Sequence, residues 1–305
     1  MYMIKKIIVN KVLSNDELEE LIGTQLPVGY FKTVLSEDCD VYTDEGDILL
    51  KLRKNVFDKE LIDEAYTNII HHARFHTTTR GTVSGRRDKQ KGKLSVEVNK
   101  PIRSNIVGYF DTIPICYKGK MKKLNMKLPA SRHCAFNKNQ PDRWANFQPF
   151  VRAIDNQYKE LFPDQHQLQL IEADKTKYRI EDTAFTTVTT NLNVQTGCHQ
   201  DRGDFKNGFG NLVVIERGRY KGGYIGFPEY GVGVDLRSGD FLGMNVHKLH
   251  GNTPIESEGE ENYERLSFVS YLREDLIKKT QDIDLLPIDY FENPELYQSG
   301  NYFKK

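Results

Sequence analysis

Two histidines, one aspartate and one arginine have the residue types and the spacing of a non-haem iron site. His199 and Asp201 stand two residues apart, His250 follows about fifty residues later, and Arg265 comes fifteen residues after that. Successive side chains of a strand point to opposite faces, so His199 and Asp201 would project to one side and Gln200 to the other. Two imidazoles and one carboxylate leave three positions open on the metal, which is typical of Fe(II) oxygenases. The spacing therefore predicts an iron site.

Arg265 and Ser267 are spaced to bind a second ligand at the same site. An Arg-x-Ser pair that opens a strand can hold the distal carboxylate of a dicarboxylic acid, because the guanidinium supplies two hydrogen bonds and the hydroxyl a third. A 2-oxo acid takes two of the open metal positions in chelation, and dioxygen takes the last. The residues therefore predict 2-oxoglutarate as cosubstrate, with Arg80 as a candidate for its C1 carboxylate.

Each of these assignments has an alternative. His247 competes with His250 as the second imidazole, but residues three apart on an extended segment point to opposite faces. The Gly-Asn-Thr-Pro run that follows His250 favours His250. Arg265 could instead form a surface ion pair with Glu261 or Glu264, which is the common role of a lone arginine.

Short strand-like runs separated by Gly-rich turns surround these residues. The runs cover 185–193, 212–216, 223–227, 231–236, 241–246 and 266–272. The turn Ser238-Gly239-Asp240 leads into the run at 241–246, which delivers His247 and His250 to one end of the sheet. This pattern is typical of an antiparallel sandwich. The predicted fold class is therefore mainly β with flanking helices.

Helices and three further strand-like runs precede that region. The runs cover 4–12, 31–35 and 48–52. Ser14-Asn15-Asp16-Glu17 predicts a helix start and a short helix through Leu21. A second helix is expected over 58–72, and the clearest over 143–161, where apolar residues recur at steps of three and four. They are Trp144, Phe147, Phe150, Val151, Ile154, Tyr158 and Leu161.

The charge of the chain is balanced overall but not locally. Its 305 residues carry 43 basic and 43 acidic side chains, so no global field attracts nucleic acid or an anionic membrane. The segment 80–127 is nevertheless strongly basic. Its candidates for phosphate contact are Arg86, Arg87, Lys89, Lys91 and Lys93, with a solvated charge run as the alternative.

Cysteine spacing and hydropathy indicate which cellular compartment the protein occupies. The four cysteines form no Cys-x-x-Cys pair, which suits a reducing environment and argues against a zinc or disulfide scaffold. Neither a run of 18 apolar residues nor a signal-peptide pattern is found. The prediction is a soluble protein of the cytoplasm or nucleus, including those of an infected host cell, with no membrane partner.

Several motifs resemble one family of oxygenases. The segments 185–189, 198–205, 208–214, 222–228 and 239–252 resemble the thymidine-hydroxylase domain of base-J-binding proteins. The segment 250–255 with 265–271, including the fifteen-residue step from histidine to arginine, is similar to the closing strands of the TET methylcytosine dioxygenases. The resemblance covers roughly residues 130–275. The chain lacks the J-DNA-binding insertion of the first group and the cysteine-rich zinc region of the second.

The resemblance implies a fold, a cofactor set and an activity. The fold would be a double-stranded β-helix, or jelly-roll. His199, Asp201 and His250 would ligate iron, and Arg265 with Ser267 would bind 2-oxoglutarate. The family oxidises the exocyclic methyl of thymine or 5-methylcytosine in DNA, so DNA with a flipped base and dioxygen are the expected partners.

Three further residues are candidates near the base or the oxo acid, with structural hydrogen bonding as the alternative for each. They are Asn191, Asn193 and Arg202.

The expected organisation is an N-terminal α/β region over 1–130, a dioxygenase core over 131–280 and a tail over 281–305. Two other functions stay open: an oxygenase that acts on a free nucleotide, amino acid or protein side chain, and a non-catalytic jelly-roll binding module. The sequence leaves the oligomeric state open.

Overall fold

A computed structural model describes residues 4–77, 101–259 and 262–303. These residues group into two compact units whose segments alternate along the chain. Unit 1 takes its residues from Met1–Asn105, Thr190–Arg202 and Phe209–Val269, and unit 2 takes its residues from Ile106–Thr189, Gly203–Gly208 and Ser270–Lys305. The division at residues 130 and 280 stays a prediction.

The chain is mainly β with flanking helices, which confirms the predicted fold class. The strands are β1 (Lys5–Val9), β2 (Thr33–Leu35), β3 (Cys39–Thr43), β4 (Ile48–Arg53), β5 (Ser104–Phe110), β6 (Arg132–His133), β7 (Thr187–Leu192), β8 (Gly210–Arg217), β9 (Tyr220–Gly222), β10 (Ile225–Phe227), β11 (Val232–Val234), β12 (Phe241–Met244), β13 (Gly251–Asn252), β14 (Ile255–Ser257) and β15 (Glu264–Tyr271). The helices are α1 (Asn15–Leu21), α2 (Lys59–Ala73), α3 (Ile115–Lys123), α4 (Ala135–Asn139), α5 (Pro141–Leu161), α6 (Pro163–Ala173) and α7 (Glu274–Thr280).

Unit 1 contains one large sheet with the strand order β1, β3, β4, β12, β8, β15 and β7. β12 lies antiparallel to both β4 and β8, with Met244 opposite Leu50 on one side and Gly210 on the other. β1 joins β3 in parallel, with Ile7 opposite Val41. A parallel pair needs a crossover of a dozen or more residues, and α1 and β2 lie in the connection between these two strands.

A smaller sheet in unit 1 has the order β13, β10, β11 and β2, and it packs against the large sheet. One buried cluster contains Leu50, Leu212 and Leu242 from the large sheet together with Phe227 and Val234 from the small one. Two sheets that share one apolar layer form a β-sandwich, and a double-stranded β-helix is one such sandwich. The arrangement in unit 1 agrees with the expected jelly-roll core.

Unit 2 is organised around α5, the clearest helix of the sequence. All seven apolar residues of the predicted stripe are buried, and the ring of Tyr158 stacks on Phe185 at 6.0 Å. Asp155 on the same helix accepts a hydrogen bond from the backbone N–H of Ala184 (2.8 Å) and pairs with His166 of α6 (3.1 Å). The period of the sequence thus predicted both this helix and the face that it buries.

The C-terminal segment also belongs to unit 2. Tyr290 and Phe291 pack in a buried cluster with Ile113, Met121 and Tyr178. The ring of Phe291 stacks on Tyr117 at 4.1 Å with an interplanar angle of 11°. The C-terminal segment therefore packs against other parts of unit 2.

No helix within residues 4–77, 101–259 and 262–303 has the length and apolar character to cross a bilayer.

Asp111→Asn is expected to destabilise unit 2 by about 3 kcal/mol. The buried carboxylate of Asp111 accepts hydrogen bonds from Arg273 and Lys279, and removing one member of a buried ion pair leaves its partners uncompensated. Urea denaturation measures the loss. Asp284→Asn is the control, because the Asp284–Lys177 pair is exposed and contributes about 1 kcal/mol at most. Equal losses in the two variants would contradict the prediction.

The same carboxylate gives the stability a pH dependence. Burial raises the pKa of Asp111, but hydrogen bonds from Lys279 and Arg273 outweigh burial and hold the pKa below its ordinary value. The stabilisation is therefore fully present above the ordinary pKa of about 4 and is lost as the pH falls through the lower, folded pKa. The difference in unfolding free energy between the native protein and Asp111→Asn should accordingly shrink only at acid pH.

Candidate metal centre

The two histidine segments of unit 1 are joined by a backbone bridge. The N–H of His199 donates to the carbonyl of His250 and the N–H of His250 donates to the carbonyl of His199, both at 2.9 Å. This antiparallel bridge aligns two segments that lie about fifty residues apart in the sequence. The rings consequently lie side by side, with centroids 4.4 Å apart.

Both imidazoles present the same nitrogen to the centre. Nδ1 of His199 lies 2.8 Å from the carbonyl oxygen of Gly197, and Nδ1 of His250 lies 3.0 Å from that of Lys248. A carbonyl only accepts, so each Nδ1 carries the proton and each Nε2 keeps its lone pair. Backbone contacts of this kind fix the ring orientation and tautomer of metal-binding histidines.

Asp201 completes the cluster. Its carboxylate oxygens lie 3.5 Å from Nε2 of His199 and 3.7 Å from Nε2 of His250. The three candidate ligand atoms all lie within 4.8 Å of one another. Two imidazole nitrogens and one carboxylate oxygen on a common side match the donor set that Fe(II) accepts with positions left open. The side chains present therefore fit a ferrous ion.

The surroundings of the cluster keep His250 neutral. Burial, with a smaller contribution from neighbouring His199, lowers the pKa of His250 to about 4. The ring of Phe227 lies 6.4 Å away, centroid to centroid. Gln200 points away from the cluster, as the strand period predicted, and donates to the carbonyl of His247 at 2.9 Å. His247 lies outside the cluster of candidate ligands.

Arg265 and Ser267 lie on the face of β15 that points into the sandwich. Val269, two residues further, packs against the apolar layer between the sheets, and alternate residues of a strand share a face. Arg265 is 4% exposed, and its Nε has no hydrogen-bond partner in the described part of the chain. A buried guanidinium with an unpartnered N–H fits an anionic ligand, because an unpaired buried charge is costly.

The alternative ion pair for Arg265 is formed by other residues. The carboxylate of Glu264 accepts hydrogen bonds from the hydroxyl of Tyr66 and from Arg74, whose Nη2 lies 2.7 Å away. The side chains of Tyr66 in α2 and of Arg74, the residue after this helix, hold the start of β15 in place. Glu261 lies outside the described residues.

The two asparagines of the 187–193 segment have different surroundings. Asn191 is buried, and its Oδ1 has no hydrogen-bond partner among the described residues. Thr189 lies on the same face of β7 as Asn191. The Thr189 hydroxyl lies 3.4 Å from the hydroxyl of Tyr271, which shares one face of β15 with Arg265. Both ends of the Asn193 amide are instead engaged with the backbone: Oδ1 accepts from the N–H of Arg265 (2.6 Å) and Nδ2 donates to Tyr263 (3.0 Å).

Of the remaining candidates, only Arg202 lies among the described residues. Arg202 is exposed. Arg80, Arg86, Arg87, Lys89, Lys91 and Lys93 lie outside the described residues, so their roles stay predictions.

Asn252 is a positioning residue that the sequence reasoning missed. Its Oδ1 accepts from the N–H of Thr196 (2.8 Å) and from the Thr196 hydroxyl (2.7 Å), which holds the loop before His199 against β13. Next to it, a Cβ on Gly251 would lie 3.2 Å from Sγ of Cys198. The sequence signal for this packing is the Gly-Asn pair that follows His250. The glycine allows the close approach of Cys198, and the amide of the asparagine binds Thr196.

Sequence comparisons find relatives of this chain among oxygenases. The family model Tet_JBP, described as the oxygenase domain of the 2OGFeDO superfamily, matches residues 123–274, about half of the chain. The bifunctional helicase and thymine dioxygenase JBP2 of Leishmania major is 31% identical over 184 residues, which cover 60% of this chain and 16% of that protein. The thymine dioxygenase JBP1 of Trypanosoma brucei brucei is 33% identical over 171 residues, which cover 56% of this chain and 19% of that protein.

The chain thus spans less than a fifth of the length of these curated relatives. Among solved structures, NgTET1 in complex with 5mC DNA aligns with a TM-score of 0.49 and 12% identity, over 86% of this chain and 92% of that one. Fe(II) and 2-oxoglutarate, the predicted cofactors, are those of the 2OGFeDO superfamily. Through residues 123–274, the chain belongs to the Tet_JBP family of oxygenase domains, which confirms the family predicted from its motifs.

Proposed function

We propose that the protein is an Fe(II)- and 2-oxoglutarate-dependent dioxygenase that hydroxylates the methyl group of a 5-methylpyrimidine base in DNA, thymine before 5-methylcytosine. The observation that carries the proposal is the convergence of His199, Asp201 and His250 in unit 1. The relatives named as thymine dioxygenases support thymine as the first substrate to test. We also propose that the protein works in the cytoplasm or nucleus, wherever its DNA substrate lies.

The proposed roles follow from the chemistry of each side chain. Nε2 of His199, Nε2 of His250 and the carboxylate of Asp201 hold the metal, and the backbone carbonyls of Gly197 and Lys248 keep both imidazoles in the required tautomer. When bound, iron and 2-oxoglutarate together supply the oxidation of a C–H bond by dioxygen. The protein contributes ligand orientation and the exclusion of water.

Arg265 and Ser267 bind the distal carboxylate of 2-oxoglutarate from the interior face of β15. Asn193 positions Arg265 through the backbone. The free Oδ1 of Asn191 accepts a hydrogen bond from the base or from a water on the oxo acid. Arg202, Arg86, Arg87, Lys89, Lys91 and Lys93 are proposed to contact DNA, and Arg80 to contact the C1 carboxylate of 2-oxoglutarate.

A base inside a duplex cannot reach a buried metal, so the target nucleotide must leave the stack. This step costs a few kcal/mol, which contacts to the flipped base and to the phosphates must offset. His199 and Asp201 are partly exposed, and His250 is buried. Such a recessed cluster is consistent with a single nucleotide that has left the duplex.

The proposal is tested by incubating the purified protein with Fe(II), 2-oxoglutarate and DNA that contains thymine and 5-methylcytosine. We expect succinate together with a thymidine that has gained one hydroxyl, detected by mass spectrometry after digestion to nucleosides. Succinate with unchanged DNA across duplex and single strands would move the substrate to a free nucleotide, amino acid or protein side chain. If no succinate forms under any condition, the chain is a binding module.

Gly223→Ala is expected to weaken 2-oxoglutarate binding. Gly223 has φ +68°, and a Cβ there would lie 3.0 Å from Nε of Arg265. The matched control is Gly29→Ala, because Gly29 has φ +71° and open space around its Cβ position. Left-handed backbone costs either alanine about 1–2 kcal/mol of stability. Only Gly223→Ala should also raise the KM for 2-oxoglutarate, and a similar rise in Gly29→Ala would contradict this assignment.

A further inference from the structure

Helix α3 of unit 2 packs on its own protein along one side only, through Met121 and Tyr117. Met121 is its one buried residue, and Lys118, Lys122 and Lys123 are exposed, as is Lys127 in the following loop. The side of α3 that carries these lysines is therefore open to solvent and to a partner outside the chain.

The lysines of this region are not neutralised by carboxylates of the described chain. Asp111 is held by Arg273 and Lys279, and Glu292 is held by Lys138. Among the described residues no carboxylate forms an ion pair with Lys118, Lys122, Lys123 or Lys127. The negative end of the helix dipole favours cations only in the last turn, so it does not account for Lys118 or Lys127.

Arg132 lines a cavity next to the start of α3. The cavity has a volume of about 190 Å³, and its lining includes Cys116 and Tyr117 from the start of α3 as well as Arg132 and Lys138. Nε and Nη1 of Arg132 donate to the carbonyls of Thr112 (2.8 Å) and His133 (3.3 Å). These bonds fix the guanidinium, and no carboxylate among the described residues forms an ion pair with it.

Gly119 lies in the middle of the same helix. A Cβ at this position would meet nothing within 4 Å. Glycine inside a helix costs roughly 1 kcal/mol relative to alanine. Nothing in the packing of unit 2 requires this glycine, and its bare backbone leaves room for close approach by a bulky partner.

We propose that Lys118, Lys122, Lys123, Lys127 and Arg132, together called the α3 patch, bind the phosphate backbone of DNA. The choice of DNA rests on the proposed function, since a base-modifying enzyme must grip phosphates while one nucleotide is extruded. The α3 patch is not expected to distinguish between DNA sequences, because contacts to phosphate oxygens carry no information about the bases. An anionic membrane is the poorer match, because α3 has no continuous apolar face to insert.

The test is the salt dependence of DNA binding, measured by fluorescence anisotropy with a labelled duplex in the absence of iron and 2-oxoglutarate. Each phosphate contact contributes about 0.9 to the slope of log K against log salt. Lys118, Lys122, Lys123 and Lys127 are changed together to Gln, and we expect the slope to fall by about 3–4. Far-ultraviolet circular dichroism and urea denaturation verify that the variant is folded.

A control of equal charge change makes the result specific. Lys5, Lys32, Lys59 and Lys159 are exposed elsewhere, and their joint change to Gln should leave the slope nearly unaltered. An unchanged slope in the patch variant, or equal falls in both variants, would overturn the proposal. Binding to phosphatidylserine vesicles that the patch variant loses while its DNA slope stays unchanged would assign the patch to membranes and overturn it as well.

The outcome is separable from that of the proposed function. A reduced slope with no oxidised thymidine would leave the α3 patch in place and remove the DNA-oxidising activity. Oxidised thymidine with an unchanged slope in the patch variant would do the reverse.

Discussion

His250→Ala is expected to remove ferrous-ion binding and with it succinate formation. His250 is buried and supplies one of three candidate ligand atoms. Among the described residues, the cluster contains no fourth histidine or carboxylate that could replace it. Lewis-acid stabilisation by a bound metal amounts to several kcal/mol, so the turnover rate should fall by about 10³-fold or more. Anaerobic calorimetry with Fe(II), or absorption of Co(II) as a redox-stable probe, measures the loss of metal independently of activity.

His247→Ala is the matched control, since His247 lies three residues away and outside the cluster. It should keep the metal affinity of the native protein within a few-fold. Loss of metal in His247→Ala with retention in His250→Ala would mean that the ligand set is wrongly assigned. The unfolding midpoint of both variants separates ligand loss from misfolding.

Arg265→Lys has the second largest expected effect, a rise of roughly 10- to 100-fold in the KM for 2-oxoglutarate. A hydrogen bond to a charged group contributes about 1.5–3 kcal/mol, and lysine cannot reproduce the planar two-point contact of a guanidinium. The effect should fall on the oxo acid and not on the metal, because Arg265 lies outside the three-residue cluster. Steady-state kinetics with varied 2-oxoglutarate, together with metal titration, distinguishes these two effects.

Arg217→Lys provides the comparison for that change. Arg217 pairs with Asp63 at 2.5 Å and lies over the ring of Tyr66 at 4.3 Å, at a partly exposed position. Its replacement should leave the KM for 2-oxoglutarate unaltered. The assignment of Arg265 fails if Arg265→Lys keeps the KM of the native protein while remaining folded.

Local features of the structure were predictable because neighbouring residues alone decide them. Ser14 and Glu17 form the expected helix start, with the Ser14 hydroxyl accepting from the N–H of Glu17 and the Glu17 carboxylate accepting from that of Ser14. The apolar stripe of α5 marked both a helix and its buried face. The period of two predicted that Gln200 points away from its neighbours.

Short helices were missed because their sequence signals are weak. α3, α4, α6 and α7 were not predicted, and α3 buries only Met121, so it has no hydrophobic period to detect. α6 begins at Pro163, shortly after the end of α5. Because proline is favoured in the first turn of a helix, Pro163 is the sequence signal for this helix. α6 and α7 bury three residues each, so packing within unit 2 contributes to their stability beyond intrinsic propensity.

The sequence by itself determined the donor types, the two-residue spacing of His199 and Asp201, and the family to which residues 123–274 belong. Only the tertiary structure decided that His250, and not His247, meets them, because that choice depends on a backbone bridge between segments far apart in the chain. It likewise decided that Glu264 pairs with Arg74 and leaves the Nε of Arg265 unpartnered inside the sandwich. Spacing along a strand is fixed by local geometry, whereas the choice between competing partners depends on which distant strands pair and what they bury.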